Sequence, residues 1–293
     1  MKAEPLILAV GANGRFAGLV IPELVRRAAR VRGMVRRAEN EDKARASGAA
    51  EIAIADLRNP ESLDRAVRGV DGIFYIGPAF EPDESQMGLN MLRAARKAGV
   101  RRFVFSSVIH PTLHLDNHFP KASVEAAVCS SGLEYVVLQP ATFYQNLESG
   151  WRKVLEQHEF AEPFSKKARV ARVDYRDVAE VAAIGLTEDR LSYGTFELCA
   201  EGLPNREDIA RVMSEVLGTQ VAAAEPTFED WAANANLHYD VRQTRSLRKM
   251  YDYYGKYGAT GNSLTLRSIL GREPRTLHQY VLGLAAQAKS LAA

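Results

Sequence analysis

The first apolar run, LILAV, turns at once into GANGRFAG, so a strand-like stretch over 6–10 meets glycines at 11, 14 and 18. Glycine permits backbone conformations and close approaches that a side chain forbids. Between a strand and a helix, such a turn is the setting in which a chain cradles a dinucleotide phosphate. Gly11 suits the tight turn. Gly14 suits close passage of the backbone by a pyrophosphate, whose charge the N–H groups opening the next helix would hold; Asn13, Arg15 and Phe16 complete the turn. The spacing, Gly-x-x-Gly-x-x-Ala-Gly, departs from the Gly-x-Gly-x-x-Gly of standard dehydrogenases, and glycine turns also close purely structural strand ends.

The rhythm of the next 130 residues decides for the cofactor reading. Apolar runs at 6–10, 30–35, 51–55, 72–76, 102–106 and 134–138 alternate with amphipathic segments near 18–28, 60–69, 85–98 and 121–131. Asn59-Pro60 marks a helix start, and Gly99 and Gly132 mark helix ends. Strands separated by helices of this length imply right-handed βαβ crossovers and a mostly parallel sheet. The expected fold is α/β, a doubly wound parallel (Rossmann) sheet with a smaller C-terminal α/β lobe. The expected division is a dinucleotide-binding domain over 1–150. Residues 151–293 form a mixed segment that partly completes the sheet and builds a substrate- or partner-facing lobe. In that segment RVDYRDVAEVAAIGL reads as a strand and a helix capped near Asp174 or Asp177, and TFELC as a strand. LPNREDIARVMSEVLG reads as a helix with Asn205 as cap, Asp208 in its first turn and Gly218 at its end. The stretch 254–263, YGKYGATGNS, reads as a loop.

Composition narrows the function. The 293 residues carry 38 basic and 36 acidic side chains, a formal net charge of +2, so no global field favours nucleic acid. No apolar stretch approaches the roughly 18 residues of a membrane helix. The first apolar run is also too short for a secretion signal. Cys129 and Cys199 stand alone, which suits a reducing compartment and a cytoplasmic protein, with neither a disulfide nor a zinc framework. One cluster stands out: RRAARVRGMVRR, with Arg26, Arg27, Arg30, Arg32, Arg36 and Arg37. It serves as a solvated face, but its end has a sharper meaning. An NAD enzyme places a carboxylate after the second strand to accept the ribose 2′-hydroxyl. Here Arg36 and Arg37 occupy that place, and a guanidinium can bind a 2′-phosphate bidentately. The expected cofactor is therefore NADP(H). Asp56-Leu57, after the third strand, could contact the adenine or simply build a turn; Gly77-Pro78, after the fourth, could let the backbone pass close to the cofactor.

These stretches together resemble the NmrA-like family, atypical members of the extended short-chain dehydrogenase/reductase superfamily. VGANGRFAGLV, VRRAE, ADLRNPESLDRAVRGVDGIFYI, AARKAGVRRFVFSSV, HFPKASVEAAVCSSGLEYVVLQPATFYQN and GNSLTLRSILGREPRTLHQYV carry the resemblance along nearly the whole chain. Ala17 and Gln139-Pro140 depart from the family's usual glycine and Arg-Pro. The resemblance implies either an NADPH-dependent reductase of a small apolar acceptor, a quinone or conjugated carbonyl, or a non-catalytic NADP(H) sensor acting through a regulatory protein partner. A homodimer is compatible with both.

Reductases of the superfamily commonly use Tyr-x-x-x-Lys with an upstream serine. Lys121 matches the lysine and is expected to bind the nicotinamide ribose, but Asn117 stands at the tyrosine position. Ser106 and Ser107 offer a hydroxyl near the serine site, where Val108 stands in an ungapped comparison. A substitute acid could come from His110, His114 or His118, with His118 nearest to Lys121; their spacing would otherwise suit a metal, which Pro111 and Asp116-Asn117 argue against. Tyr144 and Tyr175 are further candidates, and Pro140 and Phe143 would border the nicotinamide or pack in the core. A quinone needs little enzymatic protonation, so the missing tyrosine counts more against a carbonyl reductase than against a quinone reductase.

Overall fold

β1 (Leu6–Val10) is buried along almost its whole length, as a strand covered by helices on both faces must be. In the computed structural model, which describes residues 4–235 and 237–292, it begins a regular alternation. α1 (Ala17–Arg26), β2 (Arg30–Val35), α2 (Glu41–Ala46), β3 (Glu51–Ile54), α3 (Pro60–Ala66) and β4 (Gly72–Ile76) come in turn. Then come α4 (Glu84–Lys97), β5 (Arg102–Ser106), α5 (Phe119–Cys129) and β6 (Glu134–Pro140). The chain continues through β7 (Thr142–Phe143), α6 (Glu148–Gln157), β8 (Glu159–Ala161), β9 (Arg172–Val173), α7 (Tyr175–Thr187) and β10 (Gly194–Leu198). It ends with α8 (Arg206–Leu217), β11 (Ala222–Ala224), α9 (Phe228–Asn234), α10 (Val241–Tyr257), α11 (Leu264–Leu270) and α12 (Leu277–Ala292).

The large sheet has seven strands in the order β10-β6-β5-β4-β1-β2-β3. β1 pairs in parallel with β2 (Leu6 opposite Arg30, Val10 opposite Met34) and, on its other side, with β4. Successive strands therefore run outward in opposite directions from the β1–β4 seam. That is a doubly wound Rossmann sheet, and its strand order reverses where ligands bind such folds, at the carboxyl ends of β1 and β4. Local chemistry explains the elements. Asn59 caps α3, its side chain accepting the Ser62 N–H at 3.2 Å, with Pro60 in the first turn. Asn205 and Asp208 form a reciprocal capping box on α8, and Gly218 ends that helix in the left-handed region.

Two segments differ from expectation. The short helix α2 has no apolar stripe to announce it. It packs because Gly33 lacks a side chain, whose Cβ would stand 3.0–3.3 Å from Ala12, Ala44 and Ala49. The expected loop at 254–263 begins only at Gly258. A capping box of Asp240 and Gln243 starts α10, Tyr254 is buried within it, and the helix runs to Tyr257. Gly258 stops it with φ +71°, where a Cβ would meet the Arg169 carbonyl at 2.5 Å.

The chain divides into two units. One comprises the residues through Gln139 together with Arg176–Phe196, and the other Pro140–Tyr175 with Glu197–Ala293. The first has its core between the sheet and its helices, around Leu8, Ile73, Phe103, Phe105, Met91 and Val137. Arg102, only 1% exposed, ties its strand ends together: it donates to Glu134 and Asp189 at 2.6 Å and to the Glu188 carbonyl at 2.6 Å. The second unit is α/β as well, with parallel pairs β7–β9 and β8–β11 and a core of Trp151, Val154, Phe160, Ile209, Met213 and Val281. Among the described residues no helix is long and apolar enough to cross a membrane.

α4 and α5 approach closely at Gly88, where a Cβ would stand 2.7 and 2.9 Å from the two methyls of Val124. Val124 is buried and β-branched, so it has little freedom to move aside. Gly88→Ala is expected to cost about 1–3 kcal/mol by overpacking, less the gain in helix propensity of roughly 1 kcal/mol. Urea unfolding should show the loss, and Val124→Ala in the same chain should restore much of it.

Candidate functional site

At the carboxyl end of β1 the chain passes through Gly11 at φ +73°, a left-handed conformation that favours glycine. The Gly14 N–H then closes back on the Gly11 carbonyl at 2.7 Å, and a Cβ on Gly14 would lie 2.9 Å from that oxygen. α1 starts with no side-chain cap, and its first turn holds no acidic residue. Its N-terminus thus presents backbone donors and a positive helix end, which together suit an anion. Asn13 lies part-buried in this turn, Arg15 is exposed with its guanidinium 5.8 Å from the Phe16 ring centre, and Ala17 is buried in the helix.

β2 ends at Val35, and Arg36 and Arg37 follow it into solvent; Arg37 pairs loosely with Glu39 at 3.3 Å. No carboxylate directly follows the strand. After β3, the Asp56 side chain accepts the Arg58 N–H at 2.8 Å, so it builds the turn before α3, and Leu57 packs against the core. Arg58 reaches from this turn to Asp83 and Glu81, both at 2.7 Å, tying it to the segment that leads into α4.

The densest polar chemistry lies past β4. Glu84, in the first turn of α4, is 2% exposed and forms an ion pair with Lys121 of α5, itself 6% exposed. Lys121 also donates to the Asn117 carbonyl at 2.9 Å. Gly77 presses against this pair; a Cβ there would stand 3.2 Å from a Glu84 carboxylate oxygen and 3.4 Å from the Tyr75 hydroxyl. Pro78, the next residue, is exposed. The second Glu84 oxygen and the Tyr75 hydroxyl are buried with no hydrogen-bond partner. Burial pushes the Glu84 carboxyl up, against the pull of Lys121, and burial followed by the Glu84 charge pushes the Tyr75 phenol up. The phenol therefore keeps its proton through the neutral range.

Ser106, fully buried at the end of β5, and Ser107 lie on the neighbouring strand end. Gln139, where the family resemblance leads one to expect arginine, donates to both oxygens of Glu125 at 2.9 and 3.1 Å. With a neutral amide there instead of a guanidinium, burial wins and raises the Glu125 carboxyl.

The three histidines do not share a helix face, because the segment is a run of turns. His110 takes φ +54°, His114 is exposed and stacks on Phe119, and His118 is fully buried with Nδ1 3.2 Å from the His110 carbonyl. Burial lowers His118 to about 4, so it is uncharged at neutral pH. In the second unit Tyr144 packs against Tyr280 in the core. Phe143 meets Tyr175 edge-on at 4.8 Å, with Tyr175 wholly buried, and Pro140 is buried at the end of β6. Sequence reasoning missed Glu84, whose partner lies 37 residues away and whose place at a helix start reads as an ordinary first-turn acid.

The sequence model of the NmrA-like family matches residues 3–281. The NAD(P)H azoreductase of Xenophilus azovorans is 26% identical over 284 residues, covering 96% of this chain and 98% of its own. The crystal structure of an NADPH-dependent quinone oxidoreductase from Escherichia coli, complexed with NADPH, superposes with a TM-score of 0.81 at 22% identity, over 96% of this chain and 99% of that one. NmrA, a negative transcriptional regulator, superposes with a TM-score of 0.79 at 17% identity, over 99% and 98%.

The burial of His118 has a measurable consequence. Its folded-state value of about 4 lies below the ordinary 6.5, so between these pH values the unfolded chain binds a proton that the folded chain refuses. The contribution of His118 to stability is level above pH 6.5 and falls as pH drops from 6.5 towards 4, by roughly 3 kcal/mol in all. Urea unfolding at pH 7 and pH 5 should therefore show a smaller loss in His118→Gln than in the unchanged protein.

Proposed function

The chain belongs to the NmrA-like family, and from that premise we propose that it binds NADP(H) and reduces a small apolar acceptor, a quinone or a conjugated carbonyl. The observation that carries the cofactor half is the pairing of an uncapped, acid-free α1 N-terminus with a β2 that runs out into Arg36 and Arg37. The first is a seat for a pyrophosphate; the second offers guanidinium groups where a carboxylate would repel a 2′-phosphate. The Gly11–Gly14 turn fits the same group, since a side chain at Gly14 would fill the space with backbone only 2.9 Å away.

When bound, the dihydronicotinamide supplies hydride. The chain supplies the setting. Lys121, at the carboxyl edge of the sheet, is the residue to hold the nicotinamide ribose; its ion pair with Glu84 fixes the side chain in place, at the cost of burying both groups. Gly77 and Pro78 let the backbone pass close by, and the Tyr75 phenol stays protonated beneath. The azoreductase and the quinone oxidoreductase among the similar proteins support an acceptor that takes hydride into a conjugated system. Such an acceptor asks little of a protein acid. Asn117 in place of tyrosine and the uncharged His118 fit that demand.

A second reading rests on the same two residues: with neither of them a proton donor beside Lys121, the protein would bind NADP(H) and report it to a partner; a negative transcriptional regulator shares its fold. NADPH consumption by the purified protein across quinones, enones and aldehydes, with NADPH binding checked in the same sample, separates the two. Turnover that Lys121→Ala loses is the expected result. Tight binding without turnover on any acceptor favours the sensor. Arg36→Ala with Arg37→Ala should weaken NADPH by about tenfold or more, the size of one charge-assisted contact, and leave NADH nearly unchanged. An unaltered ratio of NADPH to NADH affinity would overturn the cofactor assignment.

A further inference from the structure

Arg30 and Arg32 belong to the arginine run around β2, and the cofactor reading leaves both unused. Both pair with Glu51 of β3, the last strand at one side of the large sheet. Among the described residues no strand pairs with its outer side. In the register of β2 and β3, Val35 lies opposite Ile54 and accepts the Ala55 N–H at 3.0 Å. Amides along a strand alternate in direction, so those of Ile52 and Ile54 face away from β2. Their N–H and C=O groups are open to a further strand.

A groove of about 320 Å³ follows this edge, lined by residues 52–54 and by the end of α3. Arg32 builds it. Its Nε and Nη2 donate to one Glu51 oxygen at 2.8 and 2.7 Å, and its Nη1 donates to the Ala66 and Arg68 carbonyls at 3.0 and 2.7 Å. One guanidinium thus joins β2 and β3 to the end of α3. Arg65 and Arg68 line the same groove with exposed side chains, and among the described residues neither side chain has a hydrogen bond or ion pair. Glu51 is the one carboxylate in the described lining. Arg32 therefore frames the groove, and Arg65 and Arg68 leave it positive.

A row of open amides suits an extended peptide backbone, and an excess of guanidinium groups selects an acidic one. The same charge disfavours a second copy of this chain, since pairing β3 with β3 would set arginines against arginines. Nucleic acid has the charge but no amides to pair with a strand, and no aromatic ring lines the groove for a base to stack on. The two faces of β3 sharpen the match. Ala53 packs towards α3 in the core, so Glu51 shares that face while Ile52 and Ile54 point to the other. Ile54 is 51% exposed there. A strand that alternates acidic and apolar residues would set its acids towards Arg65 and Arg68 and its apolar side chains towards Ile54.

We propose that the edge of β3 is a docking site for an extended acidic segment of a partner protein, which adds to the large sheet as a further strand. Arg65 and Arg68 take its carboxylates, and the Ile52 and Ile54 amides take its backbone. The groove uses neither the glycine turn nor Arg36 and Arg37, so the proposal does not rest on the cofactor reading.

The test is fluorescence polarisation of a labelled acetyl-Glu-Val-Glu-Val-Glu-amide peptide titrated with the full-length protein. Saturable binding is expected. Replacing the acids by Gln should weaken it about two- to fivefold for each exposed ion pair lost. Arg65→Glu with Arg68→Glu should abolish binding, while urea unfolding, measured on the same variant, stays as it was. Two further peptides carry N-methyl groups on the Glu amides or on the Val amides; one edge of the peptide faces β3, so one of the two should lose binding and the other keep it. No saturable binding, indifference to Gln, binding that survives in the double variant, or equal binding of the two methylated peptides would each overturn the proposal. Tighter binding of a thymidine oligonucleotide of equal charge, lost in the same variant, would overturn it as well and assign the groove to nucleic acid.

Discussion

The buried Glu84–Lys121 ion pair is the constraint around which the candidate site is arranged. Two charges withdrawn from water are tolerable only when they face each other, so the first turns of α4 and α5 must come together wherever the pair forms. That approach fixes the neighbourhood. The backbone after β4 has room for glycine at 77, and α4 has room for glycine at 88. Tyr75 rises from β4 beneath the pair, its ring tilted against those of Phe103 and Phe105, and carries the electrostatics of the site into the sheet's core. One ionic contact thereby couples helix packing, backbone path and the proton affinity of a phenol.

The architecture was legible where sequence and local physics agree. All seven of the sheet's strands were read from the sequence, most plainly the central β1 and β4, whose residues are apolar because both of their faces are covered. The caps at Asn59 and Asn205 were equally plain, since a short polar side chain followed by a first-turn acid or proline has few other uses. α2 escaped notice because its six residues bury only Ala44. The true extent of α10 was hidden by the glycines in 254–263: Gly255 continues the helix and Gly258 ends it, and only their backbone angles tell these two apart.

Site residues divide in the same way. The glycine turn and the arginines after β2 announce themselves, since both are local signals. Asp56 had two roles open to it, and its contact with the Arg58 N–H shows a turn at work. Glu84 gave no sign. A charged residue at a helix start reads as solvated until the fold buries it, and its partner arrives from 37 residues away. Long-range pairing of buried charge is what a single sequence conceals most completely.

The first unit is not continuous along the chain: after Gln139 it resumes only at Arg176. Its last strand, β10, sits beside β6, and Tyr193 just before it donates to the Tyr135 carbonyl at 2.7 Å. During synthesis β6 therefore emerges from the ribosome with one edge unpaired, and it stays so until the chain has been extended by more than fifty residues to Gly194. An open strand edge invites pairing with other chains. At about 5–20 residues per second, translation leaves that edge uncovered for several seconds. Until β10 arrives the sheet is one strand short, and β6 stands at an open edge.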